Sequence, residues 1–272
     1  MSQPDVTVSS SKGMSAEGLV PSVDDSLRTK WLPFILSFVA GSVDVIGFLG
    51  LGLFTAHITG NLVILAAHIV DRSEASPALM ISVPLFIGVL ALTRLLAEGL
   101  ERARISPLRG LLLVQSMLLC AFLAMCVAAG PGAGADAPSM MAAGMLGVSA
   151  MAVQNALVRI ALRGAPATAV MTTNITLLTA DVGEIVLGQH PDRVAKARER
   201  AKHTWPAVAG FVLGCAVGAL CTAKFGLLSL ILPVGFSLIA LASVRPGIRH
   251  DRCPPVRCGR RQEPLEEHTG QD

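Results

Sequence analysis

No tyrosine occurs in this chain of 272 residues, and only 15% of its residues are charged. A soluble globular domain carries about 25% charged residues, so this scarcity argues against one. Aromatics are also few, 4% in all, and no basic patch is interleaved with them, which argues against a nucleic-acid partner. Catalytic signatures are missing too. There is no Gly-Lys-Ser/Thr phosphate loop, no His-Glu-x-x-His and no Gly-x-Ser-x-Gly. The expectation is a protein that uses no ATP, needs no cofactor or metal, and is not an enzyme. The six cysteines make no disulfide framework. Cys120, Cys126, Cys215 and Cys221 fall in apolar runs, as small hydrophobes do. Cys253 and Cys258 lack His or Cys neighbours at zinc-site spacing.

What the chain has in quantity is apolar sequence: 52% hydrophobic residues and a mean hydropathy of +0.61. Roughly 20 apolar residues cross about 30 Å of hydrocarbon. Six blocks meet that length, at 31–54, 79–97, 109–129, 139–162, 205–222 and 225–244. Residues 1–30 are Ser- and Asp-rich and read as a disordered cytoplasmic tail. The first apolar run starts too late and is too long for a signal peptide. Residues 245–272, with six Arg, read as a basic cytoplasmic tail. Between the tails lies a single membrane domain, 31–244.

Basic residues collect in cytoplasmic segments. With six spans and an inner N-terminus, 20 of the 22 Lys and Arg fall inside, leaving Arg72 and Lys224 outside. Both Trp residues, Trp31 and Trp205, then open spans at the inner headgroup level. Both termini are expected in the cytoplasm.

One stretch does not fit a plain span. Residues 56–70, AHITGNLVILAAHIV, reach only about 22 Å as a helix. The expectation is a short membrane-embedded or interfacial helix. A second copy follows at an offset of 113: HITGNLVIL at 57–65 aligns with VMTTNITLL at 170–178. Thr59 then matches Thr172, Asn61 matches Asn174, His68 falls on Asp181, and Asp71 on Glu184. With a two-residue gap, GSVD at 41–44 falls on AVQN at 152–155, which pairs Asp44 with Asn155. The order span, short polar segment, span, span occurs twice, beginning once inside and once outside. The fold expected is therefore all-α: six transmembrane helices and two short helices in an inverted 3+3 repeat, with halves 31–129 and 139–244. Transporters commonly use this plan, with sites near the midplane between repeats.

Three motifs resemble the bacterial YoaK family of inner-membrane proteins, whose biochemical role is unassigned. They are V-A-G-x-x-D at 39–44, F-x-A-H-x-T-G-N at 54–61 and Q-N-A-L-x-R at 154–159. The resemblance covers about 31–244 and implies an inner-membrane location and roughly six spans. Ala56 departs from the family's usual Ser, and Thr173 from an expected Gly.

Asp44 lies about 20 Å along its helix from Trp31, where an acid costs several kcal/mol unless protonated or paired. Asp44, His57, Thr59, Asn61, Gln154, Asn155, Thr172 and Asn174 are the candidate pathway residues. On a continuous helix, His57, Asn61, His68 and Asp71 would share one face. Gly210, Gly214 and Gly218 form a small-xxx-small stripe that suits close packing inside the molecule. Pro84 and Pro233 fall mid-span. The function expected is a secondary transporter or channel for a small solute or ion, with Asp44 as its proton-coupling group. The alternative is a non-catalytic membrane scaffold or sensor. It would bind a partner or anionic lipid through the basic 193–202 loop and the C-terminal tail. The partners expected are the lipid bilayer, the solute or ion and, in a homo-oligomer, further copies of the chain.

Overall fold

A computed structural model describes residues 31–71, 76–130, 132–135, 137–162, 164–188 and 190–244. The two tails, Arg72, Arg163, Cys253 and Cys258 lie outside the described residues. Among those described, the fold is all-α with no strand. In chain order the helices are α1 (Leu32–Leu51), α2 (Ile58–Asp71), α3 (Pro77–Arg102), α4 (Pro107–Ala129), α5 (Pro138–Ala161), α6 (Met171–Leu187), α7 (Pro191–Phe225) and α8 (Ile231–Ser243). A 3-10 turn, Gly226–Leu230, joins the last two. Helices α3, α4, α5 and α7 open on proline, whose missing N–H would have no intrahelical partner there anyway.

Five helical stretches are long and apolar enough to cross a membrane: α1, α3, α4, α5 and the 53-residue run Pro191–Ser243. That run is not straight. Phe38 on α1 meets Gly214 of α7 through its backbone and Phe236 of α8 through its ring, centroids 4.4 Å apart. The chain has reversed between them, at Gly226, whose φ of 57° suits glycine. Thr222 and Ser229 hydroxyls, 3.1 Å apart, tie the turn together.

Helix α1 runs parallel to α7. Phe34 lies against Gly210, Phe38 against Gly214 and Ser42 against Gly218. A Cβ added at Gly210 or Gly214 would collide with the backbone oxygen of Phe34 or Phe38. The glycine stripe thus faces inward, letting two backbones touch. Helices α4 and α5 run antiparallel, with Gln115 bonded to Gln154 near one end and Phe122 packed on Gly147 farther along. Helix α3 lies on α5, and α4 meets α8.

The core divides by depth. One cluster gathers the start of α1 (Leu32, Leu36), the start of α4 (Leu108, Leu111) and the end of α5 (Leu157). It also takes in Ala97 of α3 and Ala240 of α8, and this end is called the near end below. The other runs to the far end, with Leu51, Leu79, Cys126, Met140 and Leu230.

Several boundaries differ from expectation. Helix α1 stops at Leu51, where Gly52 takes a left-handed conformation (φ 70°) and its N–H returns to Phe48 O. Leu53 and Phe54, which read as span, belong to a connection. The basic 193–202 segment is not a loop but the first part of α7. Pro233 sits in the first turn of α8, where proline is tolerated, whereas Pro84 and Pro206 are interior to α3 and α7.

Candidate functional site

The far-end site grows from the way α1 ends. Once Gly52 breaks the helix, residues 53–57 must turn back against the bundle, and the backbone N–H groups that this buries need acceptors. Asp44, buried on α1 about two turns before the break, supplies them. Its Oδ1 accepts the N–H of Ala56 at 2.7 Å, with the Thr55 hydroxyl and the His57 N–H at 3.4 Å. Its Oδ2 stands 2.7 Å from His57 Nδ1. The carboxylate therefore folds the connection and holds the imidazole at once.

The His57 ring lies edge-on to Phe211 of α7, centroids 5.5 Å apart, and edge-on to Phe54 at 6.3 Å. About a third of its side chain is exposed, and Nε2 has no hydrogen-bond partner among the described residues. His57 belongs to the connection, outside the spanning helices. Its pKa is raised above the ordinary value, chiefly by the hydrogen bond that the ring donates to Asp44. Desolvation opposes the rise and the Asp44 charge adds to it.

Asn61, fully buried on α2, completes the corner. Its Oδ1 accepts from Phe54 N at 2.8 Å, and its Nδ2 donates to Phe54 O at 2.7 Å and to Ser82 Oγ of α3 at 3.2 Å. One side-chain amide thus satisfies both polar groups of one peptide residue and reaches the next helix. Gly60 is glycine because a Cβ there would stand 2.7 Å from the Phe54 ring.

A related corner occurs at the near end. Asn174, buried on α6, donates from Nδ2 to Ala167 O at 2.6 Å. The acceptor is seven residues upstream, as Phe54 is of Asn61. Gln154 on α5 donates from Nε2 to Thr168 Oγ1 at 3.0 Å and to Leu36 O at 2.8 Å, and its Oε1 accepts from Gln115 at 2.7 Å. Thr168 stands to Thr55 at the offset of 113. Gln154 thus meets Thr168 as Asp44 meets Thr55.

The expected pairing of Asp44 with Asn155 is replaced. The Asp44 bonds all go to residues 55–57, and Asn155 Nδ2 donates to Met151 O of its own helix at 2.9 Å. Thr59 and Thr172 are exposed and stand apart from both corners. His57 precedes α2, Asp71 is exposed at its end, and Asn61 is the residue that α2 buries, so no continuous polar stripe forms. Asp181 is buried and takes Arg200 Nε at 2.9 Å. Sequence reading missed Thr55, Ser82, Gln115, Thr168 and Arg200. The Thr55 and Thr168 match was available at the same offset as the two Asn; for Ser82 there was no signal.

A family model covers residues 32–243, from the first residue of α1 to the last of α8, and it describes a protein of unknown function, DUF1275. The chain belongs to this family. No curated protein and no solved structure matches it. Family and helices together make it a multi-pass integral membrane protein. Both polar corners lie within the part of the chain that the family model matches.

Proposed function

We propose that this protein is a secondary carrier or channel for a small solute in the bacterial inner membrane, with the Asp44–His57 pair as its proton-linked element. It has six spans, α7 and α8 counting as two, and both termini in the cytoplasm, so the near end is the inner one. The YoaK resemblance agrees with that location. The observation that carries the reading is the pair itself. A buried carboxylate and an imidazole stand 2.7 Å apart beside a broken helix, with the far ring nitrogen unpartnered among the described residues. Ionisable groups at this depth are costly and commonly mark a solute or proton path.

An inverted repeat supports the transport plan. Exchanging α1 with α5, α2 with α6, α3 with α7 and α4 with α8 maps the main helix contacts onto one another. Thus α1 on α7 corresponds to α5 on α3, and α4 on α5 to α8 on α1. The two Asn corners fall at opposite ends, as an in-plane two-fold requires.

Polar groups also recur through the depth of the bundle. Below the Asp44 corner come the Ser116–Ser237 hydroxyl pair at 2.7 Å, then Gln115, Gln154 and Thr168. Ser37 Oγ and Gln115 Oε1 are buried with no protein partner among the described residues. Such atoms cost about 1–3 kcal/mol each when left unmade, and a passing polar solute would satisfy them. The chemistry assigned to Asp44 and His57 is proton binding, not catalysis. The test is solute-dependent proton movement in proteoliposomes, wild type beside Asp44→Asn.

A further inference from the structure

The described part of the chain has a second polar site, at the opposite end from Asp44. Helix α7 is 35 residues long, about 52 Å at 1.5 Å per residue, and only about 20 of those residues are needed to cross hydrocarbon. Its first part, before Trp205, projects past the apolar layer and packs on α6. Between the two helices lies a cleft of about 310 Å³, lined by Ala180, Asp181, Glu184, Arg193, Lys196 and Arg200. That size is at the lower end for ligand pockets, about 300–1,000 Å³.

The spacing 193, 196, 200 puts three cations on one face of α7, toward α6. Arg200 is not loose. Two of its donors go to Asp181 Oδ1, which fixes the guanidinium and leaves its other donors for the cleft. Arg193 and Lys196 have no ion-pair partner among the described residues. The lining carries three positive and two negative groups, and one negative is already engaged by Arg200. Arginine and lysine side by side suit a phosphate oxyanion.

The neighbourhood says where such a group comes from. Ile175 and Val182, seven residues apart on one face of α6, are both exposed. In a membrane protein the Ile175 end of that face lies toward the acyl chains. Trp205, more than half exposed, stands five residues beyond Arg200, at the boundary between apolar and charged sequence on α7. An apolar helix face beside a basic cleft at headgroup level is what a lipid phosphate would meet.

We propose that the α6–α7 cleft binds the phosphate group of an anionic ligand, supplied by a lipid headgroup of the adjoining leaflet. The site depends on the membrane setting and not on whether the protein moves a solute, so failure of the flux assay leaves it standing.

The experiment uses the full chain, purified and exposed to a mixture of phosphatidylglycerol and phosphatidylcholine, with retained lipids counted by native mass spectrometry. Wild type should keep about one phosphatidylglycerol per chain in preference to phosphatidylcholine. The double variant Arg193→Gln, Lys196→Gln should lower that occupancy at least tenfold. Glu184→Gln removes a lining anion and should raise it severalfold. Lys224→Gln, at the other end of α7, should leave it unchanged. Inorganic phosphate at millimolar concentration is the competing arm. If it displaces the lipid with the same dependence on Arg193 and Lys196, the phosphate site stands and its source is soluble. Retention that ignores the double variant, or falls equally with Lys224→Gln, overturns the proposal. So does weaker retention in Glu184→Gln.

Discussion

Asp44 Oδ2 and His57 Nδ1 stand 2.7 Å apart, and the other oxygen of the same carboxylate holds the Ala56 N–H at 2.7 Å. One side chain therefore does two jobs, closing the loop after α1 and fixing the imidazole. Substitutions at Asp44 separate these jobs by their chemistry.

Asp44→Asn keeps an oxygen for the Ala56 N–H, so the protein should fold and insert. Asp44→Leu removes every acceptor and strands that N–H. It should cost about 1–3 kcal/mol for the unmade bond, beyond the loss in the Asn variant. Thermal unfolding in detergent reads the difference. Equal stability of the two variants would mean the carboxylate does not hold the connection.

His57 should titrate above about 6.5, its ordinary value, because the Asp44 hydrogen bond favours the charged ring. A raised folded-state pKa fixes the sign. The stabilisation is complete below about pH 6.5 and is lost as pH rises through the folded value. Imidazole NMR shifts against pH measure this directly. In Asp44→Asn both favourable causes go and desolvation remains, so the midpoint should fall below its wild-type position. An unmoved midpoint would detach the imidazole from the carboxylate.

Gly214→Ala should destabilise by about 1–3 kcal/mol, the usual range for overpacking, since its Cβ meets the Phe38 backbone oxygen and backbone cannot step aside. Gly88→Ala, on α3 with nothing within 4 Å of its added Cβ, should be neutral or mildly stabilising. Comparing the two by thermal unfolding tests the close parallel packing of α1 on α7.

Alkaline phosphatase fused after residue 135, in the connection between α4 and α5, should be exported and active. Fused after residue 104, between α3 and α4, it should be inactive. The reverse pattern would turn the molecule over and place the α6–α7 cleft on the outer face.

The helices were legible because bilayer crossing imposes block lengths that no local ambiguity hides. Their ends were less so. Leu53 and Phe54 look like more span, yet Asp44 and Asn61 bind the backbone of 54–57 and make it a buried connection. Charge hid the start of α7, since Arg193 to Lys202 read as a loop while their helix runs unbroken into the apolar stretch. The 113-residue offset found Asn61 and Asn174, whose side chains each reach a carbonyl seven residues back. It set Asp44 against Asn155, whose side chain bonds Met151 O of its own helix, whereas Gln154 reaches Thr168. Eleven residues separate Asp44 from Thr55, and fourteen separate Gln154 from Thr168. An ungapped or two-residue-gapped alignment cannot register that. Nor does local sequence show that a buried acid takes partners a dozen residues away rather than across the repeat.

The central claim is that the Asp44–His57 pair couples proton binding to solute movement. The direct measurement loads proteoliposomes with a pH-sensitive dye and adds small polar solutes one at a time, with wild type, Asp44→Asn and His57→Gln in parallel. Wild type should give an internal pH change that depends on at least one solute. Both variants should be folded and inserted, yet lose that coupled signal. Solute-dependent proton movement that survives Asp44→Asn with its pH dependence unchanged would contradict the account and leave Asp44 as the staple of a loop.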